Sequence, residues 1–248
     1  MAQFLNTGFH DGIFNMQFDA DLAIRFDPSR DDAILRVYGW NPYAISIGAH
    51  QRMENFDRTL IEKEGYDIVR RPTGGRAILH AHELTYSLIM DGGSRGVREV
   101  YRHISRGLLR GLQSMGVRAE LSGMDDRLTT PFADPTSIPC FSSSAKCEIQ
   151  FEGRKLVGSA QRRYGTIVLQ HGSVLLGPAH RRLTEFLAPH VQSNRSVLEN
   201  DLIDRTIEVE TILGRSVTFE DAADCIRRGF EHAWSTTFTE FQFANAFT

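Results

Sequence analysis

Residues 69–90, VRRPTGGRAILHAHELTYSLIM, constrain the fold more than any other stretch of the chain. The second half, from Glu83 to Met90, is short and apolar and reads as a core strand. The first half turns through Gly74-Gly75, where the backbone is free to take positive φ and to let a ligand come close. Arg70, Arg71 and Arg76 surround that turn, and His80, His82 and Glu83 follow it. The pattern describes a floor of backbone rimmed by fixed positive charge, suited to a phosphate, a carboxylate or an acidic protein. The plainer reading is a hairpin turn with surface arginines, since Gly-Gly often does no more than reverse a chain.

The flanking segments supply a frame for such a floor. Apolar residues between 11 and 27 recur at helical spacing, 33–38 and 44–47 read as strands, and 56–64 as a short helix closed by Gly65. Residues 97–115 place Val97, Val100, Ile104, Leu108, Leu112 and Met115 on one stripe, an amphipathic helix. Gly107 and Gly111 within it predict close packing against a sheet. Residues 121–139, rich in Ser, Asp, Thr and Pro, predict a long loop, a feature more often functional than incidental. Beyond it, 147–151 and 155–157 read as a hairpin, 166–170 and 173–176 as two short strands with His171-Gly172 at the break. Helices are expected over 180–189 and 197–206, with a final one after Thr218. Strands in the middle and helices around them predict an α/β (α+β) fold on a central mixed sheet, in a single domain over residues 1–248. The phosphate-binding patterns G-x-G-x-x-G and G-x-x-x-x-G-K-[ST] do not occur.

Composition matters here for what it excludes. A formal net charge of −3 argues against bulk nucleic-acid binding. Three cysteines, at 140, 147 and 225, are too few and odd in number for a disulfide framework, which points to a reducing compartment. The N-terminal stretch lacks the basic and apolar regions of a secretion signal, and no run is long enough to span a bilayer. The expectation is a cytoplasmic protein, and a monomer.

The reactive residue expected from chemistry is Cys140, at the exit of the polar loop. Lys155 returns on the far arm of the hairpin, where its ammonium can favour thiolate over thiol. Thiolate is the nucleophile that acyl transfer needs. Gly158, Ser159, Ala160 and Gln161 follow the lysine, small or polar residues that can turn N–H groups and side-chain donors toward a ligand. An ordinary buried cysteine is the competing reading for Cys140, and Cys147 and Cys225 read as packing residues. His80-x-His82 is a lone pair, short of a zinc set.

Taken together, Arg70-Arg71-Pro-Thr-Gly-Gly-Arg-Ala-Ile-Leu-His80, Glu83-Leu-Thr-Tyr-Ser87, Cys140-Phe141, Gly153-Arg-Lys155-Leu-Val-Gly-Ser-Ala-Gln161 and Leu169-Gln-His-Gly-Ser173 resemble the lipoate/biotin protein ligase and octanoyltransferase superfamily. The similarity runs in order from about residue 12 to 235 and is strongest to its cysteine-dependent octanoyltransferase branch. It implies one catalytic domain that moves octanoyl from octanoyl-acyl carrier protein to a lysine of a lipoyl-carrying protein, with the glycine-cleavage H protein as favoured acceptor. It also implies that Cys140 carries the acyl thioester and Lys155 lowers its pKa. Arg70, Arg71, Gly74, Gly75, Arg76, His80, Ser159, Ala160, Gln161, His171 and Gly172 are then the substrate-binding residues. Arg70, Arg71, Arg162 and Arg163 would steer acidic carriers. No metal or ATP is chemically required, because the donor thioester is already activated. The ATP-dependent ligases typically show three glycines where this chain has Gly74-Gly75-Arg76, and many carry an extra C-terminal domain for which this chain is too short. Three alternatives remain at this point: an amidotransferase taking octanoyl from H protein to other lipoyl domains, a lipoate ligase, and a noncatalytic carrier-binding module.

Overall fold

The computed structural model describes residues 1–122 and 148–241, so Cys140, Cys147 and most of the 121–139 stretch lie outside the described residues. In chain order the elements are β1 (Ala2–His10), α1 (Gly12–Arg25), β2 (Ala33–Trp40), β3 (Ala44–Ile47), α2 (Arg58–Lys63), β4 (Asp67–Arg70), β5 (Ile78–His80), β6 (Glu83–Asp91) and α3 (Val97–Ser114). There follow β7 (Glu120–Leu121), β8 (Ile149–Phe151), β9 (Arg154–Tyr164), β10 (Ile167–Leu175), α4 (Arg195–Arg205), α5 (Val209–Leu213), α6 (Phe219–Trp234) and β11 (Phe238–Glu240). Eight strands form a mixed sheet in the order β11-β1-β2-β6-β10-β9-β8-β7, and β4-β3-β5 form a second, smaller sheet.

The apolar run expected to be a core strand is β6, buried along nearly its whole length between β2 and β10. Its alternation sorts the two faces of the sheet. Leu84, Tyr86, Leu88 and Met90 join Val100, Ile104, Leu108 and Leu112 of α3 and the apolar face of α6 in the largest core. On the opposite face Thr85, Ser87 and Ile89 look toward α1 and the small sheet, where Leu22, Ala23, Ile34, Ile89 and Leu169 pack together. One face is therefore apolar but for the Tyr86 hydroxyl and the Gln170 amide that donates to it, and the other mixes apolar and hydrogen-bonding side chains.

Three expectations change. Where two strands are expected over 166–170 and 173–176, Ile167–Leu175 form one strand, β10, with no break at His171-Gly172: the ladder to β6 runs unbroken from Ile167↔Asp91 to Leu175↔Glu83. A glycine inside a strand marks close backbone approach as readily as a break. Gly107 and Gly111 pack against α6, not against a sheet. A Cβ on Gly229 of α6 would lie 2.1 Å from the Gly111 nitrogen, and one on Gly107 2.3 Å from the Phe230 ring. Finally, Pro178–Phe186 is a 3-10 segment, where a helix over 180–189 is expected; prolines at 178 and 189 bracket it and keep the turns tight. Thr218 does cap α6, accepting from the Asp221 amide at 3.1 Å.

Candidate active site

Between the large sheet and the small one lies a narrow recess of about 20 Å³, room for about one water molecule, lined by residues from α1, β2, β3, β5, β6, β9 and β10 and by Arg71. Met16, Trp40 and Ile78 give apolar wall, and Gly158, Ser159, Ala160 and Gly172 bring two strand backbones to the surface of the recess. Of the residues expected to bind substrate, Arg71, His80, Ser159, Ala160, His171 and Gly172 meet here. Arg70, Gly74, Gly75, Arg76 and Gln161 are not part of this lining.

The glycine-arginine segment is built around Arg71. The residue is 4% exposed, and its guanidinium donates to the carbonyls of Gly74, Arg76 and Ser46 at 2.6–3.1 Å and to Ser46 Oγ at 3.1 Å. Arg71 thus holds the turn in shape while forming part of the recess. Gly75 has φ 92°, and a Cβ on Gly48 would lie 1.9 Å from its carbonyl oxygen, so two loops touch backbone to backbone. Arg70 points elsewhere, donating to the carbonyls of Gly48, Ala49 and Gln51 at 2.8–3.1 Å.

Two histidines in the wall are each held between a carboxylate and a hydroxyl. His80 contacts Glu83 through Nδ1 at 2.7 Å and Ser46 Oγ through Nε2 at 2.7 Å, and stacks on Trp40 with ring centroids 4.0 Å apart. Glu83 also accepts from Thr85 at 2.5 Å and from Ser173. Ionised carboxylate only accepts, so Nδ1 carries the His80 proton. His171 contacts Asp19 through Nδ1 at 3.1 Å and Thr73 Oγ1 through Nε2 at 2.6 Å. Burial lowers the His171 pKa, outweighing the hydrogen bond and charge of Asp19 that act to raise it. The imidazole is therefore neutral at pH 7, with Nδ1–H donating to Asp19 and Nε2 accepting from Thr73.

Asp19 itself is fully buried, which alone would raise its pKa, yet Arg36 at 2.7 Å and bonds from His171 and Ser87 hold it down at about 2. Tyr38 donates to the same carboxylate at 2.9 Å. Asp19, Arg36, Ser46, Thr73, Thr85 and Ser173 do not stand out in the sequence reading. A usable signal exists for one of them: Arg36 is the single charge within the apolar stretch Ala33–Trp40, which demands a buried partner.

Ser159 and Gln161 place their polar side chains away from any ligand role visible in the recess. Ser159 Oγ bonds Tyr86 Oη at 2.7 Å, and Gln161 Nε2 donates to Gln170 Oε1 at 3.1 Å. Burial pushes the Tyr86 pKa up to about 12, so its phenol stays protonated and anchors this corner. His82, by contrast with His80, has φ 52° and faces Glu210 at 3.3 Å, so the two histidines of the His-x-His pair diverge.

Lys155 lies near the start of β9, where the pairing with β8 slips by one residue: Ile149 opposes Val157, but Gln150 opposes Lys155. Such a bulge re-aims the side chain beside it. The ammonium is buried and meets the equally buried Glu148 carboxylate at 2.5 Å. The sequence reading did not single out Glu148, although it immediately precedes β8 and shares its side of the strand with Gln150.

A mixed sheet with a small second sheet and a recess between them is the α+β architecture of the lipoate-ligase type of catalytic domain. The chain belongs to the lipoyl protein ligase A/B catalytic domain family, whose model matches residues 11–231. It is 39% identical over 244 residues to the octanoyltransferase LipM of Symbiobacterium thermophilum, covering 96% of this chain and 88% of that one. With the octanoyltransferase LipM of Kyrpidia tusciae it shares 37% identity over 234 residues, 92% of this chain and 85% of the other. The Bacillus subtilis octanoyltransferase LipM is 32% identical over 92% of this chain and 84% of its own. Among solved structures, a lipoate-protein ligase A bound with ATP superposes with TM-score 0.76 over 99% of this chain and 90% of its own, at 20% identity. A bipartite lipoate protein ligase from Thermoplasma acidophilum gives 0.78 over 99% and 89%, also at 20%. At that identity the structural likeness speaks for the fold alone.

Proposed function

We propose that this chain, as one catalytic domain over residues 1–248, is an octanoyltransferase of lipoate biosynthesis. It moves octanoyl from octanoyl-acyl carrier protein to a lysine of a lipoyl-carrying protein, with the glycine-cleavage H protein as the acceptor. The observation that carries the reading is 32–39% identity to octanoyltransferases across more than nine-tenths of the chain. The lining of the recess between the sheets supports it, since an apolar wall with a few fixed hydrogen-bonding groups suits a fatty acyl chain ending in a polar carbonyl.

The chemistry follows in two balanced steps. The Cys140 thiolate attacks the carbonyl carbon of the donor thioester, and the carrier's thiol leaves as thiolate and takes a proton. The neutral amine of the acceptor lysine then attacks the octanoyl-enzyme. An amide forms, the Cys140 sulfur departs, and the amine proton ends on that sulfur or on a neighbouring base. Each step passes through a tetrahedral oxyanion that backbone N–H groups near Gly75–Ala77 or Ser159–Ala160 would stabilise. The Lys155 ammonium would favour the thiolate, and the Glu148 carboxylate beside it holds the lysine side chain in place. Arg70, Arg71, Gly74, Gly75, Arg76, His80, Ser159, Ala160, Gln161, His171 and Gly172 remain the substrate-binding set of this proposal. Arg71, His80 and His171 act by holding the recess in one geometry.

The test is intact mass after mixing the protein with octanoyl-acyl carrier protein in the absence of ATP. An octanoyl increment that hydroxylamine removes, and that Cys140→Ala abolishes, is the expected result. A protein that gains octanoyl only when ATP and free octanoate are supplied is a ligase, and the proposal fails.

A further inference from the structure

The exposed face of α3 carries four arginines at intervals of four residues: Arg98, Arg102, Arg106 and Arg110. At ~1.5 Å per residue they form a diagonal stripe about 18 Å long. All four are exposed, and α3 offers only Glu99 as an acid within its own length. Among the described residues, no carboxylate stands within ion-pair distance of any of them; Arg110 has only the Gln113 side chain, at 3.2 Å. Three other helical arginines offer a contrast. Arg205 on α4 and Arg227 and Arg228 on α6 each pair with an aspartate three or four residues away. Like charges spaced by four residues destabilise a helix, so α3 sustains a repulsion along its exposed face that no ion pair among the described residues relieves. The local field also registers on half-buried His103, whose pKa is lowered first by burial and then by Arg95 and Arg106, against the pull of Glu99.

We propose that this face of α3 is a docking surface for an acidic protein, one presenting a helix with carboxylates at roughly the same four-residue interval. Carboxylates on such a helix recur every ~6 Å, the spacing of the arginines, so each guanidinium meets one partner. Two other polyanions fit less well. A nucleic-acid-binding domain usually couples its basic stripe to a strongly basic pI, above about 9, whereas this chain carries a net charge of −3 and a pI of about 6.3. A membrane-surface helix buries apolar side chains next to its basic ones, and among the large exposed hydrophobics only Val97 belongs to α3. The stripe also lies across the large sheet from the recess, because Val100, Ile104, Leu108 and Leu112 of α3 pack on the face opposite His171 and Thr85. A protein held there is thus held by a contact separate from the one that delivers an acyl chain, and the inference stands whether or not octanoyl is the group transferred.

The experiment uses the full chain and a fluorescent helical peptide of about 18 residues with glutamate at every fourth position, followed by anisotropy. Binding is expected at about 50 mM salt and should weaken roughly tenfold by about 300 mM. Arg102→Glu with Arg106→Glu should abolish it and transfer preference to the same peptide with lysine in place of glutamate. The milder Arg102→Gln/Arg106→Gln pair should lose about tenfold while melting like the parent, and Arg182→Glu, on the other side of the molecule, should lose nothing. Unchanged peptide binding in the arginine variants overturns the proposal. So does tighter stripe-dependent binding to single-stranded DNA or to vesicles containing phosphatidylserine.

Discussion

Lys155 and Glu148 are each nearly inaccessible to solvent and lie 2.5 Å apart. Removing one partner of a buried ion pair leaves an uncompensated charge and costs ~3–5 kcal/mol, whereas removing both costs far less. Lys155→Met is therefore expected to lower stability by about that amount in urea unfolding, and Glu148→Gln/Lys155→Met to recover most of it. Neither variant should accumulate the octanoyl thioester, so the double variant separates the chemical role of the lysine from its structural one. Lys155 was legible in the sequence from its position on the hairpin and from the family pattern around it. Glu148 was not, because a lone glutamate before a short strand looks like any surface acid. Only the one-residue slip between β8 and β9 brings it against the lysine. Asp19 and Arg36 were hidden for a related reason: periodicity marks the apolar positions around them and says nothing of which buried charge meets which.

Among the helices, α3 and α6 approach each other through glycine. Gly229→Ala would set a methyl 2.1 Å from the Gly111 backbone nitrogen, an atom that cannot rotate aside. Gly107→Ala meets the Phe230 ring instead, and a side chain can shift. We expect Gly229→Ala to cost about 1–3 kcal/mol and Gly107→Ala less, both read from chemical denaturation. The helix stripe of α3 was plain in the sequence, and so were β2, β3, β6 and the cap of α6. For the glycines, spacing fixes the small face of a helix without saying which element fills it, so sequence alone does not separate a helix from a sheet as the partner. The division of 166–176 into two strands failed for a similar local reason. Gly172 weakens strand propensity, but pairing with β6 on one side and β9 on the other outweighs it.

Over the whole molecule, buried histidines set the response to acid. His171 and His180 both have lowered pKa values, and for His180 burial outweighs the attraction of Glu208 and brings it to about 4. Below the usual 6.5 the unfolded chain takes up protons at these sites and the folded chain does not. Stability should therefore fall as pH drops from about 6.5 towards 4. Asp19 adds a second, lower window: its folded value of about 2 lies below the usual 3.8, and the stability it contributes disappears as pH falls through that interval. Melting curves at stepped pH should show the first decline, and His180→Asn should flatten part of it. The mixed sheet with flanking helices was readable from the order of strand-like and helix-like segments. The partition into two sheets with a recess between them was not, since it depends on which strands pair across long separations.

The central claim is that a covalent octanoyl-enzyme lies on the route between two proteins. Isolating the octanoyl-enzyme with a labelled acyl group and mixing it with a lipoyl-carrying acceptor tests this most directly. The account predicts that the label moves to one lysine of the acceptor at least as fast as steady-state turnover. Label that stays on the enzyme while unlabelled octanoyl from the carrier reaches the acceptor would contradict it.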